Sequence, residues 1–323
     1  MRLSALWDRL FLMRPTILVP VWIFLLLGSY HSSPKIAVLV PDRRVILALL
    51  SYTMLLGGVY ILNQLYDRES DRLNRKLFLI PEGYIKTKSA VVQMAIVIGV
   101  GFSLAIFFSP IFLLFVGVSL VMGILYSAPP AKLKGRPVFD TIANGVGYGF
   151  LNFGVGWLAT SDFSMRMVAL SLPYVFAVGG VYVNTTILDL PGDRRTGDIT
   201  TGVWLGDVRA RLLSTVLLSI ALLLSLLVQN YISLLACSIA LPLFVLSVMR
   251  LDAKSVLISI RLGTPVLAVI TSFLYPFFAG ILCAGFFLTR WYYRHRFGVI
   301  YPSILEKKND AEPAEGRHCA GVS

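Results

Sequence analysis

Apolar runs of membrane-spanning length follow one another along almost the whole chain, and this limits its choice of fold more than any other feature. Nine are read, at 16–30, 46–63, 90–108, 111–127, 139–159, 167–188, 212–228, 231–249 and 265–289. About 20 apolar residues in a helix cross a bilayer core, with every backbone polar group satisfied within the segment. The first run is short for that and must tilt or borrow from its flanks. Leu, Ile, Val and Phe fill the runs without alternation, which selects helices over barrel strands. With 57% hydrophobic and only 14% charged residues, the 323-residue chain has no stretch left for a separate soluble domain. The expected fold class is all-α, a polytopic membrane protein with about nine transmembrane helices.

The loops orient the bundle. With the N-terminus inside, 19 Lys and Arg fall on the inner side against four (Lys35, Arg43, Arg44, Arg166) on the outer side. The net charge of +12 is thereby explained by positive inner loops and anionic headgroups, and nucleic acid is not expected as a partner. Residues 1–15 read as an amphipathic interfacial helix, with Leu3, Leu6, Trp7, Leu10 and Phe11 at helical spacing. Residues 16–289 form the membrane domain, and 290–323 a basic tail, disordered over 306–323. An odd count of spans puts that tail outside, against the charge rule. Cys237 and Cys283 lie in apolar runs and Cys319 is one residue out of place for a prenylation signal, while His31, His295 and His318 are too scattered for a zinc site.

Charge enters the apolar pattern abruptly at two places, Asn63-x3-Asp67-x3-Asp71 and Asp189-x3-Asp193. Both are predicted on the inner side. Residues four apart share a helix face, so each cluster makes a stripe of oxygen ligands. Stacked carboxylates repel one another unless a cation neutralises them, and at membrane depth they are costly and functional. The intervening loop, Tyr126-Ser-Ala-Pro-Pro-Ala-Lys132-Leu-Lys134-Gly-Arg136, is predicted to leave its helix at the prolines and carry three cations along an extended strip. Acids for Mg2+ beside cations for phosphate oxygens make a diphosphate site. Asn144, Gly145, Gly147, Gly149 and Asn152 in one run point either to close helix packing or to a polar cavity.

Together, Asn63-x3-Asp67-x3-Asp71, Tyr126-Ser-Ala-Pro-Pro and Asp189-x3-Asp193 make the chain resemble the UbiA superfamily of intramembrane prenyltransferases, over roughly 10–290. The resemblance implies nine helices around a central cavity with a cytosolic cap of loops. It implies two Mg2+ ions held by Asp67, Asp71, Asp189 and Asp193 with Asn63 in support, and an isoprenyl diphosphate bound through them. Arg72, Lys132 and Lys134 are then expected to neutralise the leaving group, with Tyr126, Asn144, Arg194 and Asp198 as further substrate contacts. Two departures stand out: Asn74-Arg75-Lys76-Leu77 replaces a Pro-Arg-Pro-Leu-like run, and Asp198-Ile199 replaces a basic residue after Thr196-Gly197, which makes Asp198 an additional ligand candidate.

The implied reaction is Mg2+-dependent prenyl transfer to a lipophilic aromatic, polycyclic or isoprenoid acceptor through an allylic cation, with Tyr66, Tyr126 and Tyr148 as candidate aromatic faces. The Tyr-Ser-Ala-Pro-Pro run with the following Asp140-x3-Asn144-Gly is similar to the branch using polycyclic or carotenoid-like acceptors, while hydroxybenzoate, quinone precursors and a glyceryl phosphate lipid stay open as acceptors, since no residue decides among them. The expected setting is a cell inner membrane with the active loops facing the cytoplasm. The alternative is an ion-coupled transporter, which predicts acids at mid-span rather than at span ends. A phosphatidyl-alcohol transferase lacks support, because its Asp-Gly-x2-Ala-Arg pattern is absent.

Overall fold

The computed structural model describes residues 3–35, 38–68, 79–299 and 301. The described elements are helical. A short helix α1 (Leu3–Leu12) leads into α2 (Pro15–Ser32), α3 (Arg43–Tyr66), α4 (Thr87–Ala105) and α5 (Pro110–Ser127). The helix α6 covers 139–158 in three consecutive pieces, Phe139–Asn144, a π-helical stretch Gly145–Asn152, and Phe153–Leu158. Then come α7 (Met165–Thr196), the short α8 (Thr201–Leu205), α9 (Asp207–Leu227), α10 (Tyr231–Arg250), α11 (Ala253–Gly263), α12 (Pro265–Leu274) and α13 (Pro276–Phe297).

Sequence punctuation explains the breaks. Ser109 caps α5 by accepting from the Phe112 N–H, with Pro110 in the first turn where no N–H is needed. Asn230 caps α10 through the Ser233 N–H. Both cap residues sit in the tight turns expected at those places, so α4 and α5, and α9 and α10, are antiparallel neighbours.

Eight helices among the described residues are long and apolar enough to cross a membrane. The composite α6 and the 22-residue α13 run to comparable length. The single span expected at 265–289 is divided between two helices. Thr264 keeps helical dihedrals, so α11 and α12 form one rod, and the rod ends at Tyr275, whose backbone is extended ahead of Pro276. The Val38 N–H reaches the Leu274 carbonyl at 3.0 Å, which fixes the end of α12 beside the α2–α3 loop. The last turns of α13 return to the opposite end, where the Tyr292 hydroxyl and the Arg296 guanidinium both bond the buried Asp8 of α1. The basic end of α13 therefore stands beside α1. Residues 290–297, read as the start of the tail, belong to α13; the disorder expected over 306–323 concerns residues outside those described.

The main core gathers α2, α3, α5, α6 and α7 around Leu25, Tyr52, Leu55, Phe112, Phe153 and Tyr174. Glycines set the closest approaches. A Cβ at Gly28 would run into the Phe153 carbonyl, and one at Gly156 into the Leu25 carbonyl, so α2 and α6 pack backbone to backbone. Gly149 meets the backbone of Val175 on α7 in the same way, whereas Gly147 faces open space. The close-packing reading of the Gly/Asn-rich run therefore holds, while the cavity that Gly147 and Asn144 line is apolar rather than polar.

Candidate active site

Both acid motifs stand at helix C-termini, where the unpaired carbonyls of the last turn make the local field negative. Asp67 is the residue after α3, its N–H bonded to the Asn63 carbonyl at 2.9 Å. The Asn63 amide donates to the Asp67 carboxylate (2.9 Å) and to Ser127 Oγ (3.2 Å), and its carbonyl oxygen accepts from Arg14 (3.3 Å). The expected stripe thus holds for Asn63 and Asp67. Asp71 and Arg72 lie outside the described residues. The helix runs past the predicted end of its apolar run at 188, since α7 continues through the second motif to Thr196, carrying Pro191 inside it. Asp189 is exposed, and Asp193 is half-buried and accepts from Thr200 Oγ1 at 3.0 Å. Gly197 closes the helix with φ 76° and is followed by Asp198, whose N–H bonds the Asp193 carbonyl. Arg194 is exposed on the same last turn.

A carboxylate at the negative end of a helix dipole calls for a cation, and the loop after α5 delivers two. Lys134 pairs with Asp67 and Lys132 with Asp198. The strip between them is a 3-10 turn, Leu133–Gly135, rather than extended chain, and this sends the two ammonium groups to different motifs. Arg136, the third cation of the strip, folds back onto the Pro130 carbonyl at 2.6 Å. The Lys134–Asp67 pair is only 13% and 21% exposed, so it is screened far less than the outer Lys132–Asp198 pair.

Beneath this strip lies a buried carboxylate that the site expectations passed over. Asp140, 0% exposed at the start of α6, accepts from the Thr141 N–H (2.6 Å), the Thr201 N–H (2.7 Å) and the Thr201 hydroxyl. It ties α6 to the loop bearing Thr200 and Asp198, and so to Asp193. Asn144, one turn further, donates to the Tyr126 hydroxyl at 3.1 Å and to the Asp140 carbonyl.

Two cavities meet at Asn144 and Tyr148. One, of about 110 Å3, lies between α3, α5 and α6 and is lined by Tyr52, Leu56, Tyr60, Met122 and Tyr126. The other, of about 290 Å3, lies between α2, α7, α10 and the α11–α12 rod, against Phe24, Tyr174, Val178, Tyr182, Cys237 and Leu267. Tyr60 and Tyr148 join hydroxyls at 3.0 Å where the cavities adjoin. Of the three tyrosines expected to face the reaction, Tyr126 and Tyr148 line a cavity, while Tyr66 is 52% exposed and lines neither. The reason is helical pitch, since Tyr66 is offset from the face that carries Tyr60, Asn63 and Asp67. Arg14, Tyr60, Asp140 and Tyr182 were missed. The two tyrosines were legible as one or two turns upstream on the same faces, but Arg14 was hidden by its resemblance to any basic residue flanking a span.

The donors at the two helix ends are hard oxygens, Asn63 and Asp67 on α3, Asp189 and Asp193 on α7, a chemistry that suits Mg2+ rather than a thiophilic metal. Among the described residues no three His, Cys, Asp or Glu side chains converge in a ready-made metal cluster.

Comparison with known proteins places this arrangement in a wider setting. A family model described as the UbiA prenyltransferase family matches residues 17–256. A digeranylgeranylglyceryl phosphate synthase of Methanothrix thermoacetophila is 32% identical over 199 residues, covering 61% of this chain and 73% of the relative. A chloroplastic chlorophyll synthase of Avena sativa is 28% identical over 178 residues, covering 53% of this chain; the match spans 46% of the synthase, about half its length. Among solved structures, a UbiA homologue from Archaeoglobus fulgidus bound to GPP and Mg2+ superposes with a TM-score of 0.64 at 21% identity, covering 82% of this chain and 97% of its own. That likeness is one of fold.

Proposed function

The chain belongs to the UbiA prenyltransferase family, and from that premise we propose that it transfers a prenyl group from an isoprenyl diphosphate to a lipophilic acceptor, releasing diphosphate. One observation carries the reading. The lysines of one short loop pair with Asp67 at the end of α3 and with Asp198 just past the end of α7, and Tyr126, shortly before that loop, lines an apolar cavity. That places groups for a multiply charged head beside space for an apolar chain.

Asn63, Asp67, Asp189 and Asp193, together with Asp71, would hold two Mg2+ ions, which when bound neutralise the diphosphate and improve it as a leaving group. Lys134 and Lys132 exchange their carboxylates for diphosphate oxygens when the head binds. As charge develops on the leaving oxygens these preorganised ammonium groups stabilise it, aided by Arg14 beside Asn63 and by Arg72 and Arg194. Asn144 and Tyr126 orient the first carbons of the donor beneath the head. The faces of Tyr60, Tyr126 and Tyr148 stabilise the allylic cation, and the surrounding apolar walls keep water from capturing it.

The positive loops orient the acid end toward the cytoplasm, with residues 1–15 as an interfacial helix. The transporter alternative is weakened by the acids standing at helix ends rather than at mid-span.

The deciding experiment is thermal unfolding of the detergent-solubilised protein with prenyl diphosphates of increasing length, with and without Mg2+. A ligand bound only to the folded state raises the midpoint. A Mg2+-dependent rise that peaks at one chain length and is lost in Asp67→Asn supports the reading. No rise with any donor, in folded protein, refutes it.

A further inference from the structure

The end of the bundle opposite the acid motifs holds a further cavity, of about 310 Å3, where α2 ends, α3 begins and α12 gives way to α13. That volume is at the lower end of the range of about 300–1,000 Å3 usual for small-ligand sites. Unlike the two cavities that adjoin at Asn144, it is lined by charge: Lys35 and Arg44 stand on its wall with Asp42, Ser33 and Thr160. The cavity is held open by its own bonds. The Val38 N–H on the Leu274 carbonyl (3.0 Å) ties the α2–α3 loop to the end of α12, and Ser32 Oγ meets Thr160 Oγ1 at 2.5 Å, tying α2 to the loop after α6. Lys35 and Arg44 are two of the four Lys and Arg that the loop pattern assigns to the outer side, where cations are disfavoured. Arg44 also occupies the first turn of α3, where the positive end of the helix dipole repels it. Residues that break local rules in an otherwise consistent sequence are expected at functional places. Both cations are exposed, and among the described residues no carboxylate forms an ion pair with either. The nearest acid in the chain, Asp42, is engaged as the cap of α3, accepting from the Arg44 N–H at 2.8 Å.

We propose that this cavity binds the phosphate of an anionic phospholipid from the leaflet on that side, with Lys35 and Arg44 on its oxygens and the Ser33 hydroxyl as a further donor. Bonds from ammonium and guanidinium groups to phosphate are charge-assisted, and the guanidinium can engage two oxygens at once. The two cations and the one carboxylate of the lining sum to a net charge of +1, which a single phosphodiester balances. The membrane, rather than the aqueous phase, supplies this phosphate. Leu39 and Val40, beside the cavity on the same loop, are 72% and 79% exposed, and apolar side chains presented at this end of a spanning bundle set the cavity at headgroup depth. The bound lipid joins the α2–α3 loop to the α12–α13 break, so it acts as a clasp on the end of the bundle remote from the acid motifs.

The test is thermal unfolding of the detergent-solubilised protein in mixed micelles carrying phosphatidylglycerol or phosphatidylcholine, without Mg2+ or prenyl diphosphate. Phosphatidylglycerol is expected to raise the midpoint and phosphatidylcholine to leave it unchanged. Lys35→Gln with Arg44→Gln should weaken the apparent affinity for phosphatidylglycerol at least tenfold. Arg43→Gln and Arg166→Gln, outer cations that do not line the cavity, should keep it. All four side chains are exposed, so the variants should share the wild-type midpoint in the absence of lipid. Asp42→Asn retains a good helix cap and removes the one like charge from the lining, and should tighten binding severalfold. A phosphatidylglycerol response unchanged in the double variant places the lipid elsewhere on the protein and overturns the proposal, as does a response no larger than that to phosphatidylcholine. Weaker binding in Asp42→Asn overturns an anionic ligand, and an equal rise with inorganic phosphate overturns the lipid as its source. Because no prenyl donor is present, each of these outcomes is independent of the prenyltransferase reading.

Discussion

Lys134 and Asp67, 67 positions apart in the sequence, form an ion pair that is largely shielded from solvent at the C-terminal end of α3. The pair satisfies a carboxylate that the helix dipole disfavours, and it does so with a group able to move to a phosphate oxygen when a metal takes its place.

Replacing that lysine separates its two roles. Lys134→Met is expected to tighten Mg2+ binding, because the competing ammonium is gone, and to slow transfer by about 10²–10³, the usual cost of losing one preorganised charge-stabilising donor. Mg2+ titrations of donor-induced stabilisation, set against kcat, read both effects.

Asp67→Asn and Asp189→Asn should each abolish turnover while leaving the fold intact. Neither side chain lies in the apolar core, so the unliganded midpoint should stay near wild type. Full activity in either variant with Mg2+ limiting would remove these residues from the metal assignment.

Asp140 organises the loop rather than touching substrate. Asp140→Ala leaves the Thr141 and Thr201 N–H groups without their acceptor and should cost about 1.5–3 kcal/mol, the range for hydrogen bonds to a charged group. Because Thr200 neighbours Thr201 and bonds Asp193, the isosteric Asp140→Asn should also raise the Mg2+ concentration needed for half-maximal activity, which a change in stability alone would not do.

Arg211 is 2% exposed and joins three helices, bonding Asp207 on its own α9, the Ser247 carbonyl of α10 and the Asp252 carbonyl before α11. Arg211→Met keeps much of the volume and removes these bonds. A loss of roughly 2–3 kcal/mol is expected, with the response to donor unchanged, since the residue lines neither cavity.

Asp252 caps α11, and the Ser255 hydroxyl and N–H hold its carboxyl below the usual carboxylate range. A lowered folded-state pKa stabilises the protein above the unfolded value of about 3.9 and ceases to do so as the pH falls through the folded value. The difference in midpoint between wild type and Asp252→Ala should therefore be constant near neutrality and shrink in that acidic range.

Some of this protein was legible along the chain and some was not, and the division is physical. Hydrophobic run length gave the helices of the bundle, because a bilayer core demands about 20 apolar residues per crossing. It gave no sign of the break within 265–289, because Tyr275-Pro276 looks like one more apolar dipeptide until the backbone is seen to turn there. The acid motifs were legible because carboxylates in an apolar chain are rare and costly. Their ion pairs were not: Lys132 and Lys134 are two residues apart, and only the 3-10 turn sends one to Asp198 and the other to Asp67.

The sequence by itself determined the helical membrane class, the places where charge enters the bundle and the four-residue spacing of each acid motif, since these depend on local composition and helical period. Tertiary structure alone decided that two cavities adjoin at Asn144 and Tyr148 of α6, and that Asp140 and Arg14 stand behind the motifs. Those relations join residues tens of positions apart, and their geometry is set by how closely glycine-bearing helices pack, which no local pattern specifies.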